Sequence, residues 1–276
     1  MKNILFFLFP LIFMLGCGGG EAMTERTELP SMAGIPDATW QTLAQKKIYF
    51  GHQSVGDNII AGMNELMQSH PAIKLKVLET HSPAAFGQPV FAHSEVGKNS
   101  DTDSKINAFR EYMQKGIGNK ADIAFFKFCF WDIRSHTDAG AVFESYKAAL
   151  AALKKQYPKT KFVHFTVPLM DYPNGIKDKV LRVFQMKNQA DLDNIRRNEL
   201  NDLILTEYRG KEPVFDIAMV ESTLPDGRRT GFSREGKTYF TLASEYTDDG
   251  GHLAGEGRRH VAEQLLIFLA KLSAEK

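Results

Sequence analysis

A serine, a histidine and an aspartate are placed in this chain where they could carry out nucleophilic chemistry. Ser54 lies in KKIYFGHQSVGDNIIAGM, residues 46–63, where the apolar run Ile48-Tyr49-Phe50 stops at Gly51-His52-Gln53-Ser54 and a helical pattern begins. A serine hydroxyl is a weak nucleophile until an adjacent base takes its proton, and that base is commonly a histidine oriented by a carboxylate. Such a pair stands almost two hundred residues further on, in YTDDGGHLAGEGRRHVAEQLLIFL. Asp249 and His252 are three positions apart, and Gly250 and Gly251 between them allow a tight turn. Asp248 is a second candidate for orienting the histidine. Ser54 also has a purely structural reading, as a helix N-cap whose oxygen accepts from the backbone two or three residues on.

Chemistry by these residues requires a scaffold that brings two distant segments to one edge. From residue 47 the pattern alternates strand-like and helix-like segments. Strands are expected at 47–50, 75–78, 122–131 (the nearly continuous apolar DIAFFKFCFW), 161–168, and in EPVFDIA. A long Gly-, Pro- and His-containing loop is expected between 79 and about Ser104. Helices are expected over 57–68, through Ile106, Phe109, Tyr112 and Met113, over 140–157, through Leu200, Leu203, Ile204 and Tyr208, and in the closing segment AGEGRRHVAEQLLIFLAKL. A loop with Pro173 and Gly175 precedes the fourth of these. Parallel strands need crossover helices, so this order predicts an α/β protein: a three-layer α/β/α sandwich around a five-stranded parallel sheet. Ligands in such sheets gather at the carboxyl ends of the strands, where Ser54 lies. Residues 221–246, with turn signals at Pro225-Asp226-Gly227 and Glu235-Gly236, read as a β-hairpin or lid. Its Arg228, Arg229 and Arg234 either meet an acidic substrate or are solvated.

The block Asp249-Gly250-Gly251-His252-Leu253, followed by Gly257 and an amphipathic helix, resembles the Asp-x-x-His block of the SGNH (GDSL-type) hydrolases. The element order is similar to that family across most of residues 46–272. The resemblance implies a flavodoxin-like fold and a carboxylic ester hydrolase that needs no cofactor. It makes Ser54 the nucleophile, His252 the general base and then acid, and Asp249 the group that fixes His252. The first block departs from the family's Gly-Asp-Ser, since Gly51-His52-Gln53-Ser54 has no Asp before the Ser. The family's second block donates a glycine amide to the oxyanion hole, which here implies Gly97 in HSEVGKNSDTDSKI, with Asn99 as a nearby side-chain donor. The third block normally reads Gly-x-Asn-Asp. Aligned by strand end, CFWD puts Cys129 at the Gly, Trp131 at the Asn and Asp132 at the Asp. One oxyanion donor is worth about 3 to 4 kcal/mol in a hydrolase, so Asn99 or His52 is expected to replace the missing Asn.

The rest of the sequence bounds partners and place. The formal net charge is +1, with 34 basic and 33 acidic residues interspersed, which argues against a nucleic-acid partner. Lys2, the apolar stretch 4–15 and Met14-Leu15-Gly16-Cys17 resemble a bacterial lipoprotein signal. That implies cleavage after residue 16, a lipid on Cys17 and a membrane-anchored protein of the cell envelope; an ordinary secretory peptide or an uncleaved anchor are the alternatives. Residues 17–45 read as a tether, with the part near Trp40 packing on the body, and 46–276 as a monomeric hydrolase domain. Without Cys17, Cys129 has no partner for an intramolecular disulfide and reads as a small buried hydrophobe. His52, His81, His93 and His136 are scattered, so no metal is expected, although His52, His93, Asp249 and His252 could converge in space. Lys127, inside an apolar strand, either snorkels, pairs with a carboxylate such as Asp216, or lines the site. An acetylated carbohydrate of the envelope is the expected substrate. The alternatives are a catalytically silent carbohydrate-binding or envelope-assembly protein and a metal-dependent phosphodiesterase.

Overall fold

A computed structural model of the chain describes residues 26–172 and 188–275. The signal segment, Cys17 and the loop with Pro173 and Gly175 lie outside the described residues. Five parallel strands form the central sheet in the order β2-β3-β1-β4-β5. They are β1 (Lys47–His52), β2 (Val77–Glu79), β3 (Val90–Glu95), β4 (Ile123–Phe126) and β5 (Lys161–Phe162). Strand β1 is central, with Tyr49 paired to Ala92 on one side and Ala124 on the other. The chain after β5 continues as β6 (His164–Phe165), which turns its alternate amides the other way. Val163 N donates to Ala124 O at 3.1 Å, while His164 N donates to Pro213 O and Thr166 N to Phe215 O. The ladder thereby extends to β7 (Val214–Phe215).

Helices cover both faces. α1 (Asp37–Ala44), α2 (Val55–Ser69) and α7 (Gly255–Ala274) pack on one side, and α3 (Thr102–Tyr112), α4 (Ala139–Gln156) and α5 (Gln189–Tyr208) on the other. The alternation of a strand divides the core accordingly. Ile48 and Phe50 of β1 join Leu43, Ile59, Leu265 and Leu269 in one apolar cluster, and Tyr49 joins Phe109, Leu150 and Ile204 in the other. A short helix, α6 (Ile217–Ser222), starts at Asp216, which accepts from Met219 N at 3.1 Å. The end of EPVFDIA is therefore a capped helix rather than strand. The hairpin β8 (Gly231–Arg234) and β9 (Lys237–Phe240) lies within the expected 221–246 insertion. Asn198 of α5 holds it by bonding both the N–H and the carbonyl of Phe240, each at 3.0 Å.

One expectation is corrected. The stretch 79–104 is not all loop, because it contains β3, one of the two neighbours of β1. Its polar residues are buried in pairs: Ser94 Oγ lies 2.9 Å from Tyr49 Oη, and His93 bonds His52. The segment 17–45, expected to pack on the body near Trp40, does so there and already from Thr27. Met32, Trp40 and Leu43 are core residues, Thr27 N donates to Gly227 O at 2.8 Å, and Gln264 donates to Pro30 O at 2.9 Å. Apolar side chains of this size are pulled onto the body by their own burial. Among the described residues, no helix is long and apolar enough to cross a membrane.

Candidate active site

The end of β1 delivers Ser54 to the carboxyl edge of the sheet. Gly51 is required there, since a Cβ would lie 2.7 Å from Val96 Cγ1. Ser54 occupies the N-cap position of α2, with φ 18° and ψ −71°, yet its side chain makes no capping bond. The hydroxyl instead meets Cys129 Sγ at 3.9 Å.

The second half of the site is the loop before α7. Asp249 Oδ1 accepts from the amides of Gly251 and His252 at 2.9 and 2.8 Å, and Oδ2 lies 2.6 Å from His252 Nδ1. Burial alone would raise the Asp249 carboxyl, but the His252 amide, the His252 ring and the Gly251 amide hold it well below the ordinary carboxylate range. An anionic carboxylate only accepts, so the proton of neutral His252 sits on Nδ1 and its Nε2 is left as an acceptor. Two contacts tie this loop to the elements that carry Ser54 and Cys129. Leu253 N donates to the side chain of Asn58, one turn into α2, at 3.2 Å. The His252 ring stands edge-on to Phe130, 5.3 Å between centroids, and Phe130 follows Cys129 in the chain.

A third group of residues surrounds the same edge. Gly97 adopts φ +57°, and a Cβ there would lie 2.4 Å from Lys105 N, so no other residue fits. Gln53 Nε2 donates to the carbonyls of Gly97 and Val96 at 3.0 and 3.3 Å. Among the described residues, neither the Ser54 nor the Gly97 amide has an acceptor. Asn99 Oδ1 accepts from Lys105 Nζ at 2.9 Å. An ammonium only donates, so this contact fixes the amide oxygen toward Lys105 and leaves the NH₂ of Asn99 available.

Two candidates from the sequence are placed elsewhere. His52 is 1% exposed and sits beneath α2, where a Cβ on Gly56 would lie 2.2 Å from its ring. Its Nε2 bonds His93 Nδ1 at 3.0 Å, and burial, followed by the charges of Lys127 and His93, pushes it down to about 2. It therefore presents no donor at the strand ends. Asp132 is likewise buried: its carboxylate receives Lys105 Nζ and Cys129 N, both at 2.6 Å, and Ser100 N at 2.8 Å. It braces the edge without facing it. His52 and His93 bond each other under α2, whereas His252 bonds Asp249, so these four groups do not converge on one point.

Of the buried cations here, the sequence leaves Lys127 between snorkelling, a carboxylate partner such as Asp216 and the site, whereas Arg197 escapes it. Asp216 pairs with Arg209 instead. Arg197 of α5 donates Nε to Phe130 O at 2.9 Å, and Lys127 donates Nζ to Gln53 O at 3.2 Å. Arg197 belongs to a buried polar stripe with Asp193, Asn194, Asn198 and Asn201. The stripe recurs at helical spacing, but polar residues at that spacing ordinarily mark a solvated face, so it gave no signal.

The architecture is the α/β/α fold of the GDSL-type hydrolases. No family model matches the chain, and no curated protein matches its sequence. Solved structures match it by shape. A GDSL-like lipase from Bacteroides thetaiotaomicron VPI-5482 superposes with a TM-score of 0.52 over 82% of this chain and 89% of that chain, at 14% identity. An acetyl esterase mutant with an acetate ion gives 0.51 over 83% and 98%, also at 14% identity. At this identity the likeness is one of fold.

Proposed function

We propose that the protein is a serine esterase of the SGNH type, with Ser54, His252 and Asp249 as its triad. The observation that carries this reading is the His252–Asp249 pair, with Nε2 bonded to nothing among the described residues and the loop bonded to the first turn of the helix that Ser54 opens. His252 Nε2 takes the Ser54 proton as Oγ adds to the ester carbonyl, and returns it to the departing alcohol. Water, deprotonated by the same nitrogen, then cleaves the acyl-enzyme to release the acid and restore Ser54. The Ser54 and Gly97 amides and the Asn99 NH₂ supply the oxyanion donors, with Asn99 in place of the Asn that Trp131 displaces.

The substrate class we favour is an acylated carbohydrate. Trp131, two residues after Cys129, is 39% exposed, with the Arg134 guanidinium 4.7 Å from its ring centre. An exposed indole, fixed by a guanidinium over one of its faces, suits the apolar face of a sugar ring. The acetyl esterase likeness agrees with a small acyl group. We also place the enzyme at the cell envelope, anchored through Cys17, on the strength of Met14-Leu15-Gly16-Cys17.

The test is to challenge the purified protein with a short-chain aryl acetate and a serine-directed phosphonate. Turnover with phosphonylation of Ser54, both lost in His252→Ala, is expected; a protein that neither turns over nor labels refutes the reading. Trp131→Ala should raise KM for an acetylated oligosaccharide by about tenfold, the weight of one aromatic contact, and leave the aryl acetate unaffected. Equal effects on both substrates would exclude the platform.

A further inference from the structure

Lys127 is buried at 1% exposure, immediately after β4. A buried ammonium costs free energy unless something compensates it, and among the described residues Lys127 forms no ion pair. Its hydrogen bond goes to the carbonyl of Gln53, which also accepts from Gly56 N at 2.8 Å. That carbonyl belongs to the peptide joining Gln53 to Ser54. The peptide is trans, so its C=O and N–H point in opposite directions. With the carbonyl turned to the buried ammonium, the Ser54 N–H is directed away from it, and it has no acceptor among the described residues.

We propose that Lys127 is a positioning residue for the esterase reaction, acting through the Gln53–Ser54 peptide to orient and polarise the Ser54 N–H toward the acyl oxyanion. This rests on the esterase reading above. The ammonium draws electron density from the Gln53 carbonyl, which makes the amide proton on the far side of the same peptide a stronger donor. It also places a positive charge behind the site of developing negative charge, at an edge where the third block lacks its usual Asn. Lys127 exchanges no proton during turnover: the Ser54 proton passes to His252 and from there to the leaving alcohol.

The charge on Lys127 sets a pH limit. Burial pulls it down to about 8. The groups that act on it or feel it are Cys129 beyond β4, Lys105 on α3, Asp132, Glu221 on α6, His52 on β1 and Asp57 on α2. Glu221 is itself pushed up to about 8 by burial, so variants are needed to assign a limb in the profile.

The test measures kcat and KM for an aryl acetate from about pH 6 to about pH 10, together with Tm, for the wild type, Lys127→Met, Lys127→Gln and Lys127→Arg. Loss of the charge should lower kcat at neutral pH by about 10- to 100-fold in Met, and by less in Gln, which retains a donor. KM should stay within about twofold, since the donor acts on the transition state. The wild-type fall in kcat near pH 8 should vanish in Met and Gln and move upward in Arg, while Tm of Met equals or exceeds the wild type. Unchanged kcat and an unchanged limb overturn the proposal, as does a loss of kcat that follows a loss of Tm. Should Met not fold, the Gln profile decides by the same criteria. A wild type that neither turns over nor labels at Ser54 overturns the esterase reading and this proposal together; an active wild type with indifferent variants overturns this proposal alone.

Discussion

Asp249 bonds three N–H groups of a single short loop, so its substitution bears on chemistry through the tautomer of His252. Asp249→Asn offers an NH₂ where Nδ1–H needs an acceptor, which favours a ring flip or a proton on Nε2. The kcat for an aryl acetate should drop by about 10⁴-fold with Tm little changed; a loss under tenfold would remove Asp249 from its proposed role. Lys105 and Asp132 are a different case, being fully buried on both sides of a 2.6 Å pair. Lys105→Met leaves the Asp132 charge unpaired and releases Asn99, and should cost about 3 to 5 kcal/mol in urea unfolding. Glu221 adds a pH signature. Its carboxyl accepts from Leu169 N and is pushed up to about 8 by burial. In the folded protein it stays protonated where the unfolded chain has ionised, so its stabilisation is complete below about pH 4.5 and is lost as pH rises to about 8, at up to about 1.4 kcal/mol per unit. Glu221→Gln should flatten that slope in stability measured against pH. The sequence made Ser54, His252 and Asp249 legible as the candidates proposed here because the chemistry dictates both residue type and loop spacing. His52 was misassigned although alternation was available to place it: Ile48, Phe50 and His52 share the face that α2 covers. Lys127 and Asp132 depend on tertiary contacts that no local pattern encodes.

At the scale of elements, legibility follows hydrophobicity. The apolar strands β1 and β4 stood out, whereas β3 was hidden because His93 and Ser94 are polar and find their partners, His52 and Tyr49, across the sheet. Strand 122–131 was overextended for the converse reason: apart from Lys127, residues 127–131 stay apolar while leaving the ladder for the turn Phe130–Asp132. Helix packing decides how firmly the His252 loop is held. α2 and α7 approach so closely that a Cβ on Gly62 would lie 2.3 Å from Arg258 O. Gly→Ala inside a helix normally stabilises by about 0.5 to 1 kcal/mol. Here the backbone contact should outweigh that gain, because overpacking costs about 1 to 3 kcal/mol. Gly62→Ala should therefore lower Tm, and by displacing α7 and the loop leading into it should lower kcat as well. A rise in Tm would show that the two helices can separate freely.

At the scale of the molecule, the segment first read as tether is part of the body from Thr27 onward, and this sets both its stability and its reach. A chain starting at residue 46 lacks Met32, Trp40 and Leu43, which close the core against α7. Loss of a buried Trp costs about 3 to 5 kcal/mol and of a buried Leu about 2 to 5, a sum comparable to the whole stability of a typical domain, about 5 to 15 kcal/mol. Circular dichroism should show a cooperative melt for a chain starting at residue 26 and a weak or absent one for a chain starting at residue 46. Equal melts would mean that α1 is dispensable. If Cys17 carries the lipid we propose, the segment from there to Thr27, which among the described residues bonds the body at Gly227, is about ten residues and reaches at most about 35 Å. The site would then be confined to the layer next to the membrane. Cys17→Ser should release the protein from the membrane fraction without changing kcat on a soluble ester, while slowing deacylation of envelope material in intact cells. Retention in the membrane fraction would refute the anchor.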